Sequence, residues 1–322
     1  MIPRVAKKLG RKWQARAEQM PLIGPWVRRH SLESRYRVEL DLLYGRERGC
    51  HPHPSVVHFS FYRAATQYVK QVLARCALEE GMRHADFNQY SWDTTFPYLD
   101  SLSPTQIAPY RHVFKPQGYF YGVFGGWVRE IPQLERYRVV LTVRDPRDIL
   151  VSLYFSMAYS HAAPPRESAH YVGFLQSRDQ ARRHSIDTYV LAESDRLLTD
   201  YRNYATHLVG RHPRLHIARY EEMTASFSTW LKNLLAACEL DPSLGLRRRL
   251  IEEFHAMQPA REDVHQHVRL ARPGDYLAKL RPETIALLNA KFAPVLDLFG
   301  YGDVPAGFSG ASVRAAIQSR AD

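Results

Sequence analysis

Cysteine is scarce, with three in 322 residues (Cys50, Cys76 and Cys238). They lie too far apart for a ligand cluster or a disulfide framework, so a zinc-stapled or disulfide-dense fold is excluded. All three read as packing residues of a reducing compartment. Long apolar runs are also missing: stretches such as VVLTV (Val139–Val143) and NLLAACEL around Cys238 are short and bounded by charge, so none reaches the roughly 20 residues of a membrane span. The opening MIPRVAKKLGRKWQARAEQMPLIGPW is too polar for the core of a signal peptide, which sets the expectation of a cytoplasmic location. Glycine is absent from the stretch where a phosphate loop would be sought. VVHFSFYRAATQYVKQVL (Val56–Leu73) has none, and the GxxxxGK[ST] pattern occurs nowhere in the chain.

With 45% hydrophobic residues the chain can bury a full core, and its length favours one large domain. The net charge of +11 is unevenly spread. Residues 1–30 hold eight basic residues and one acidic residue, so +7 of it sits in an N-terminal arm. Val5, Leu9, Trp13 and Ala17 recur every fourth position there, as in a basic helix with one apolar side. Such a helix would suit an anionic membrane surface, or it would pack on its own domain as a solvated element. A nucleic-acid binder would instead carry a basic stripe through the whole domain, so nucleic acid is not an expected partner.

The breaker cluster HPHPS (His51–Ser55) marks the start of the main domain. Val56–Phe61 reads as a buried strand, and Thr66–Glu80 as a helix with Val69, Val72, Leu73 and Cys76 on one face and Gly81 beyond its end. Phe87–Trp127 is aromatic-rich and reads as irregular. RVVLTV (Arg138–Val143) is a second strand, followed by RDPRD and a helix beginning near Asp148. Ser160–His170 is loop-like, a helix runs near Asp195–Val209, and Arg214–Met223 supplies a third strand. Helices over Ser226–Glu239 and Pro282–Leu298 close the chain. Strands alternating with long helices predict an α/β fold: one domain with a central parallel sheet covered on both faces, plus the basic helical arm. The expected division is 1–50 arm, 51–303 main domain, 304–322 tail.

Three segments carry anion-binding chemistry. YRAATQY offers Arg63 at a strand end, small residues Ala64 and Ala65, then Thr66 and Gln67 at a helix N-terminus, where exposed N–H groups and the dipole favour an anion without glycine. In RDPRDILVSLY, Arg144 follows a strand and Ser152 lies on the N-terminal half of the next helix, near enough to share one anion. Arg147 and Asp148 read as an exposed ion pair of little weight. HVRLARPGDYLAKLRPE then places Arg269, Arg272 and Lys279 around a Pro-Gly turn.

Taken in order, these segments resemble the PAPS-dependent sulfotransferases, whose donor is 3′-phosphoadenosine 5′-phosphosulfate (PAPS) and whose fold is P-loop NTPase-like. The family's first strand-loop-helix, [KR]-S-G-T-[TS]-[WF], is similar to Arg63-Ala64-Ala65-Thr66-Gln67-Tyr68, with Ala64-Ala65 in place of Ser-Gly. RDPRDILVSLY is close to the second signature, an arginine followed by D-P-[KR]-D and V-S-x-Y. RYEEM (Arg219–Met223) resembles R-Y-E-D-[LM], and VRLARPGDY resembles the R-K-G-x-x-G-D-W loop. LRPETIALLNAKFAPVLDLFGY is similar to the closing helix and its L-G-Y end. The likeness spans about Val57–Tyr301. It implies that Arg63, Ala64, Ala65, Thr66, Gln67 and Tyr68 hold the 5′-phosphosulfate, and that Arg144, Ser152, Tyr220 and Arg269 belong to the nucleotide site, with no metal required.

The resemblance implies transfer of a sulfuryl group to an acceptor hydroxyl or amine by in-line displacement, for which a base is usual. The histidine that cytosolic members carry ahead of the second motif has no counterpart in GYFYGVFGGW (Gly118–Trp127). Glycan-modifying members use a carboxylate after the first helix, which points to Asp86 in MRHADFNQY first and His84 second, with His112 and Asp93 behind them. Tyr90, Trp92, Tyr98, Tyr110, Tyr119, Tyr121 and Trp127 are candidate platform residues for a glycan, aromatic or lipid-like acceptor, and equally normal core content. Two other functions compete. A nucleotide kinase would need a Walker loop and a magnesium ligand set. A non-catalytic anion-binding or membrane-tethering module would bind the donor without turnover.

Overall fold

The computed structural model describes residues 31–46, 51–164, 171–259, 261–264, 269 and 272–302. Residues 1–30 of the basic arm and the tail assigned to 304–322 lie outside the described residues. The centre is one sheet of five strands: β1 (Val56–Ser60), β2 (Arg83–Ala85), β3 (Tyr119–Phe124), β4 (Arg138–Val143) and β5 (Leu215–Arg219). Their spatial order is β2-β3-β1-β4-β5, and every pairing is parallel. β1 is buried along its whole length. A central parallel strand needs cover on both faces, which its unbroken VVHFS supplies.

Helices pack around the sheet, among them α1 (Arg37–Leu43), α2 (Thr66–Glu79), α3 (Phe87–Asp93), α4 (Pro146–Phe155), α5 (Tyr171–Arg183), α6 (Ile186–His207), α7 (Tyr220–Ala225), α8 (Phe227–Cys238), α9 (Leu244–Ala256) and α10 (Pro282–Phe299). Alternate strand residues divide the core. Val57, Phe59, Tyr121, Val139 and Leu141 face a layer that includes Tyr201, Tyr204, Leu288 and Phe292 of α6 and α10. Val56, Phe120, Val140 and Ala218 face Val69, Val72, Leu73 and Cys76 of α2 and the apolar side of α8. The helical spacing expected for Val69, Val72, Leu73 and Cys76 is therefore the packing face of α2.

Several boundaries differ from the sequence reading. The aromatic stretch expected to be irregular contains β3, with Tyr119, Phe120, Tyr121 and Phe124 all buried. Aromatic residues suit a pleated strand buried on both faces, and there the alternation that marks a half-exposed strand is lost. The third strand ends at Arg219, and Tyr220 opens α7. The helix after β4 begins at Pro146, two residues earlier than expected, because Asp145 caps it by accepting from the Arg147 N–H at 2.9 Å. Within the stretch assigned to the arm, for which packing on its own domain is one of the two readings, residues 31–46 carry α1: Leu42 is fully buried, and Arg83 Nη2 donates to Asp41 Oδ2 at 2.9 Å.

One polar stripe crosses the sheet beneath α2. His58 on β1 is fully buried, its Nε2 lies 2.8 Å from Thr142 Oγ1, and its Nδ1 has no partner. Burial, with Lys70 and His84 nearby, pushes the His58 imidazole down to about 3. The unfolded chain therefore binds a proton at this site between pH 3 and about 6.5 while the folded chain does not, so stability is lost as the pH falls through that window. Buried Glu39, raised to about 7 chiefly by desolvation, acts oppositely: stability is lost as the pH rises from about 4.5 through 7, and the cost is full above that. Replacing His58→Gln is expected to flatten the acid-side loss measured by urea unfolding across pH 3–6.5. An unchanged slope would show that another group carries it.

Candidate functional site

All five strands end at the same edge of the sheet. The connection after β1 leads towards β2 and β3, and the one after β4 towards β5, so the strand order reverses between β1 and β4. In open parallel sheets the crevice outside such a switch point is where ligands bind. Two sequence-selected segments flank it, Tyr62–Ala65 after β1 and Arg144–Asp145 after β4.

The loop without glycine adopts the conformations for which glycine is usually chosen. Arg63 has φ +66° and Ala65, the N-cap of α2, has φ +58°, both left-handed. Each costs on the order of 1 kcal/mol for a residue with a Cβ, a cost the surroundings must offset. They do so by tying the loop down. The Ala64 N–H donates to Phe61 O at 3.3 Å, the Thr66 hydroxyl donates to the same carbonyl at 2.8 Å, and Ser60 Oγ lies 2.9 Å from Thr66 Oγ1. The Tyr68 and Val69 N–H groups return to Ala65 O, so the N–H groups ahead of them face the helix's open end, an anion-binding position.

Three arginines from distant segments gather there. The Arg63 side chain donates through Nε to Ser152 Oγ at 3.1 Å, and Arg144 Nη1 donates to the Arg63 carbonyl at 3.0 Å. Ser152 therefore engages Arg63, where the sequence reading paired it with Arg144. Desolvation, then the charges of Arg144 and Arg269, push the Arg63 guanidinium down to about 10. Arg144 is buried, its guanidinium lies 4.2 Å from the Tyr220 ring centroid, and its Nε has no hydrogen-bond partner. A buried charge-bearing donor without an acceptor is expensive, and mutual repulsion among guanidiniums adds to the cost. Anionic oxygens in the crevice would relieve both. Arg269 pairs with Glu262 and Asp275 and lies 4.3 Å from the Phe155 ring centroid. Among the other late basic residues, Lys279 Nζ donates to Glu262 Oε2 at 3.0 Å and Arg272 is exposed.

The remaining charges of RDPRD hold this arrangement together. Arg147 and Asp148, expected as an exposed pair, are 4% and 1% exposed and do not pair with each other. Arg147 clasps Asp145 with Nε and Nη2 at 3.0 and 2.7 Å, donates to Asn289 Oδ1 at 2.7 Å and to Tyr301 O at 2.9 Å, and covers the Tyr276 ring. Asp148 accepts from the Gly274 and Tyr276 N–H groups at 2.7 and 3.0 Å, which clamps the Pro-Gly turn onto α4. Gly274 has φ +79°, so only glycine fits that turn without strain. Glu221, which the sequence reading did not single out, joins three motifs: its carboxylate accepts from the Asp145 N–H at 3.0 Å and from the Tyr301 hydroxyl at 2.9 Å. The signal for it was present in the acidic pair of RYEEM and the closing FGY, yet spacing alone cannot show that they meet.

The four residues considered as a base lie in settled surroundings. Asp86 accepts from Lys70 Nζ at 2.7 Å through Oδ2 and caps α3 by accepting from the Gln89 N–H at 3.0 Å through Oδ1. His84 Nε2 lies 3.1 Å from Gly122 O and its ring stacks on Phe120, and burial lowers its pKa. His112 is exposed and bonded to the Pro109 and Leu43 carbonyls. Asp93 pairs with Arg35 and accepts from Tyr36. Asp86→Asn keeps the cap but leaves Lys70 buried without its counter-charge, an expected loss of about 3 kcal/mol in urea unfolding. Adding Lys70→Met is expected to recover most of it. A fully stable Asp86→Asn variant that has lost turnover would instead make Asp86 the base.

No family model and no curated protein sequence matches the chain. Among solved structures it is similar to mouse sulfotransferase SULT7A1 complexed with PAP, at 12% identity over 88% of this chain and 92% of that one, with a TM-score of 0.48. It is also similar to retinol dehydratase in complex with androsterone and inactive cofactor PAP, at 12% identity over 84% and 87%, with a TM-score of 0.43. A third solved structure, retinol dehydratase in a complex with retinol and PAP, is similar at 11% identity over 85% of this chain and 88% of that one, with a TM-score of 0.41. Among the described residues no helix is long and apolar enough to cross a membrane, and no group of three His, Cys, Asp or Glu residues is placed to hold a metal ion.

Proposed function

We propose that the chain is a PAPS-dependent sulfotransferase acting on a hydroxyl or amine of a small-molecule or glycan acceptor. The observation that carries this reading is the convergence of Arg63, Arg144 and Arg269 at the switch point, with the buried Arg144 Nε unpartnered. A donor with phosphates at the 3′ and 5′ positions of its ribose would engage arginines that arrive from three separate segments.

In this reading Arg63, the amides of Ala64–Gln67 and the Thr66 hydroxyl hold the 5′-phosphosulfate, with Tyr68 behind them. Arg144, Ser152, Tyr220 and Arg269 form the rest of the nucleotide site and take the 3′-phosphate. The acceptor oxygen attacks sulfur opposite the phosphate, the S–O bond to phosphate breaks, and charge builds on the leaving phosphate. Arg63 sits where that charge develops, and the pre-set left-handed loop needs no reorganisation to meet it. The acceptor gives up one proton, and the nucleotide leaves as 3′-phosphoadenosine 5′-phosphate (PAP).

Calorimetry with PAP and 5′-AMP tests the reading directly. PAP is expected to bind at least tenfold more tightly, since the added phosphate meets charged donors. Equal affinity would remove the claim on PAPS and favour a generic anion-binding module.

A further inference from the structure

A second group of side chains lies beside the same loop on the α6 side of the sheet and plays no part in holding the donor. Tyr62, which immediately precedes Arg63, is about half exposed, and its ring packs over Gly125 so closely that a Cβ there would sit 3.1 Å from it. Asp100 approaches from below: its Oδ2 accepts from the Gly125 and Gly126 N–H groups at 2.9 and 3.0 Å and from Asn88 Nδ2 at 3.0 Å. From above comes α6, fixed against the end of β1 by Tyr201, whose ring stacks on Phe61 at 3.8 Å, and by Tyr204, which meets Phe61 edge-on at 5.0 Å. The neighbouring residue on that helix, Asp200, is half-buried, and no hydrogen bond to it is seen among the described residues.

Resting on the sulfotransferase reading, we propose that Asp200 is the general base, taking the proton of an acceptor that lies against Tyr62. As the acceptor oxygen bonds to sulfur and the phosphate leaves, its proton passes to a carboxylate oxygen of Asp200, and afterwards to water. Asp100 cannot move, since its oxygen is held by two backbone amides and Asn88, so it serves as a fixed negative charge.

The groups facing Asp200 are Arg196 on its own helix, Asp100 below it, Tyr62 at the end of β1 and Tyr204 one turn on. Arg196 also lies 5.7 Å from the Tyr62 ring centroid. Desolvation, opposed by Arg196 and assisted by Asp100, raises the Asp200 carboxyl to about 6. A carboxylate in that range is ionised at pH 7 yet basic enough to accept a proton from a reacting hydroxyl.

Carboxyl carbon-13 NMR of the full chain, with aspartate labelled and Asp200→Asn used for assignment, tests this without a known acceptor. The Asp200 midpoint is expected near 6, to fall in Asp100→Asn and to rise when PAP is added, because the bound phosphates bring negative charge. In single-turnover consumption of PAPS with 2-naphthol as probe acceptor, Asp200→Asn is expected to be slower by 10²–10³-fold at pH 7, with its acid limb lost and PAP affinity not weakened but raised by the small factor that matches the PAP-induced rise of the Asp200 midpoint. If PAP binds but leaves the Asp200 midpoint unmoved, or that midpoint lies near 4, Asp200 is not the base and the donor reading stands. If PAP does not bind, both fall. Where 2-naphthol is not turned over by wild type, the titration decides.

Discussion

Arg144→Ala is expected to weaken PAP binding roughly 10²-fold, about 2–3 kcal/mol, in calorimetry at fixed salt. Arg144 is the arginine that acts twice. Its Nε is a buried donor lacking an acceptor, and its Nη1 holds the Arg63 carbonyl in the left-handed turn of the first loop. Removing it takes away a phosphate contact and loosens the loop that carries Arg63. The effect on 5′-AMP should be much smaller, because the contact assigned to Arg144 is to the 3′-phosphate. Folding stability should fall as well, because Arg144 Nη2 lies 3.8 Å from the buried Asp148 carboxylate and Nη1 holds the Arg63 turn, a loss partly offset by removing one of the charges that depress Arg63. A variant losing PAP and 5′-AMP equally would place Arg144 at the 5′ side instead.

Arg147→Met, three residues along, should do the reverse. Its bonds to Asp145, Asn289 and Tyr301 join α4 to the end of α10, and none points into the crevice. Met fills a similar volume but leaves the buried Asp145 carboxylate without its cation, an expected destabilisation of about 3–5 kcal/mol. Native domains hold only about 5–15 kcal/mol in total, so the melting temperature should fall by roughly 5–10 °C. PAP affinity of the fraction that stays folded should change less than threefold. Two arginines of one pentapeptide would thus be told apart, one by affinity and one by stability. If Arg147→Met melts like wild type but loses PAP, the roles given to the two are exchanged.

The sequence by itself determined the alternation of strand and helix that dictates a parallel α/β sheet. It also marked the packing face of α2 and the arginines that follow β1 and β4. These are local properties: side-chain period, capping residues and strand-end arginines are written within ten or so neighbouring positions. β3 escaped because a strand buried on both faces has no alternation to display. What Arg147 and Asp148 do was equally out of reach. Adjacent in sequence, they look like an exposed pair, but Arg147 finds Asp145, Asn289 and Tyr301 while Asp148 finds the Gly274–Tyr276 turn, partners more than 120 residues away in three of the four cases. The same holds for Asp86, whose carboxylate meets Lys70 only once β2 has returned beside α2. For Asp200, meeting Tyr62 and Asp100 depends on where α6 lies across the sheet. Charges state their sign in the sequence. Whether each is solvated, paired or left to meet a ligand is decided by burial and by the company the fold brings, and those are properties of the tertiary structure alone.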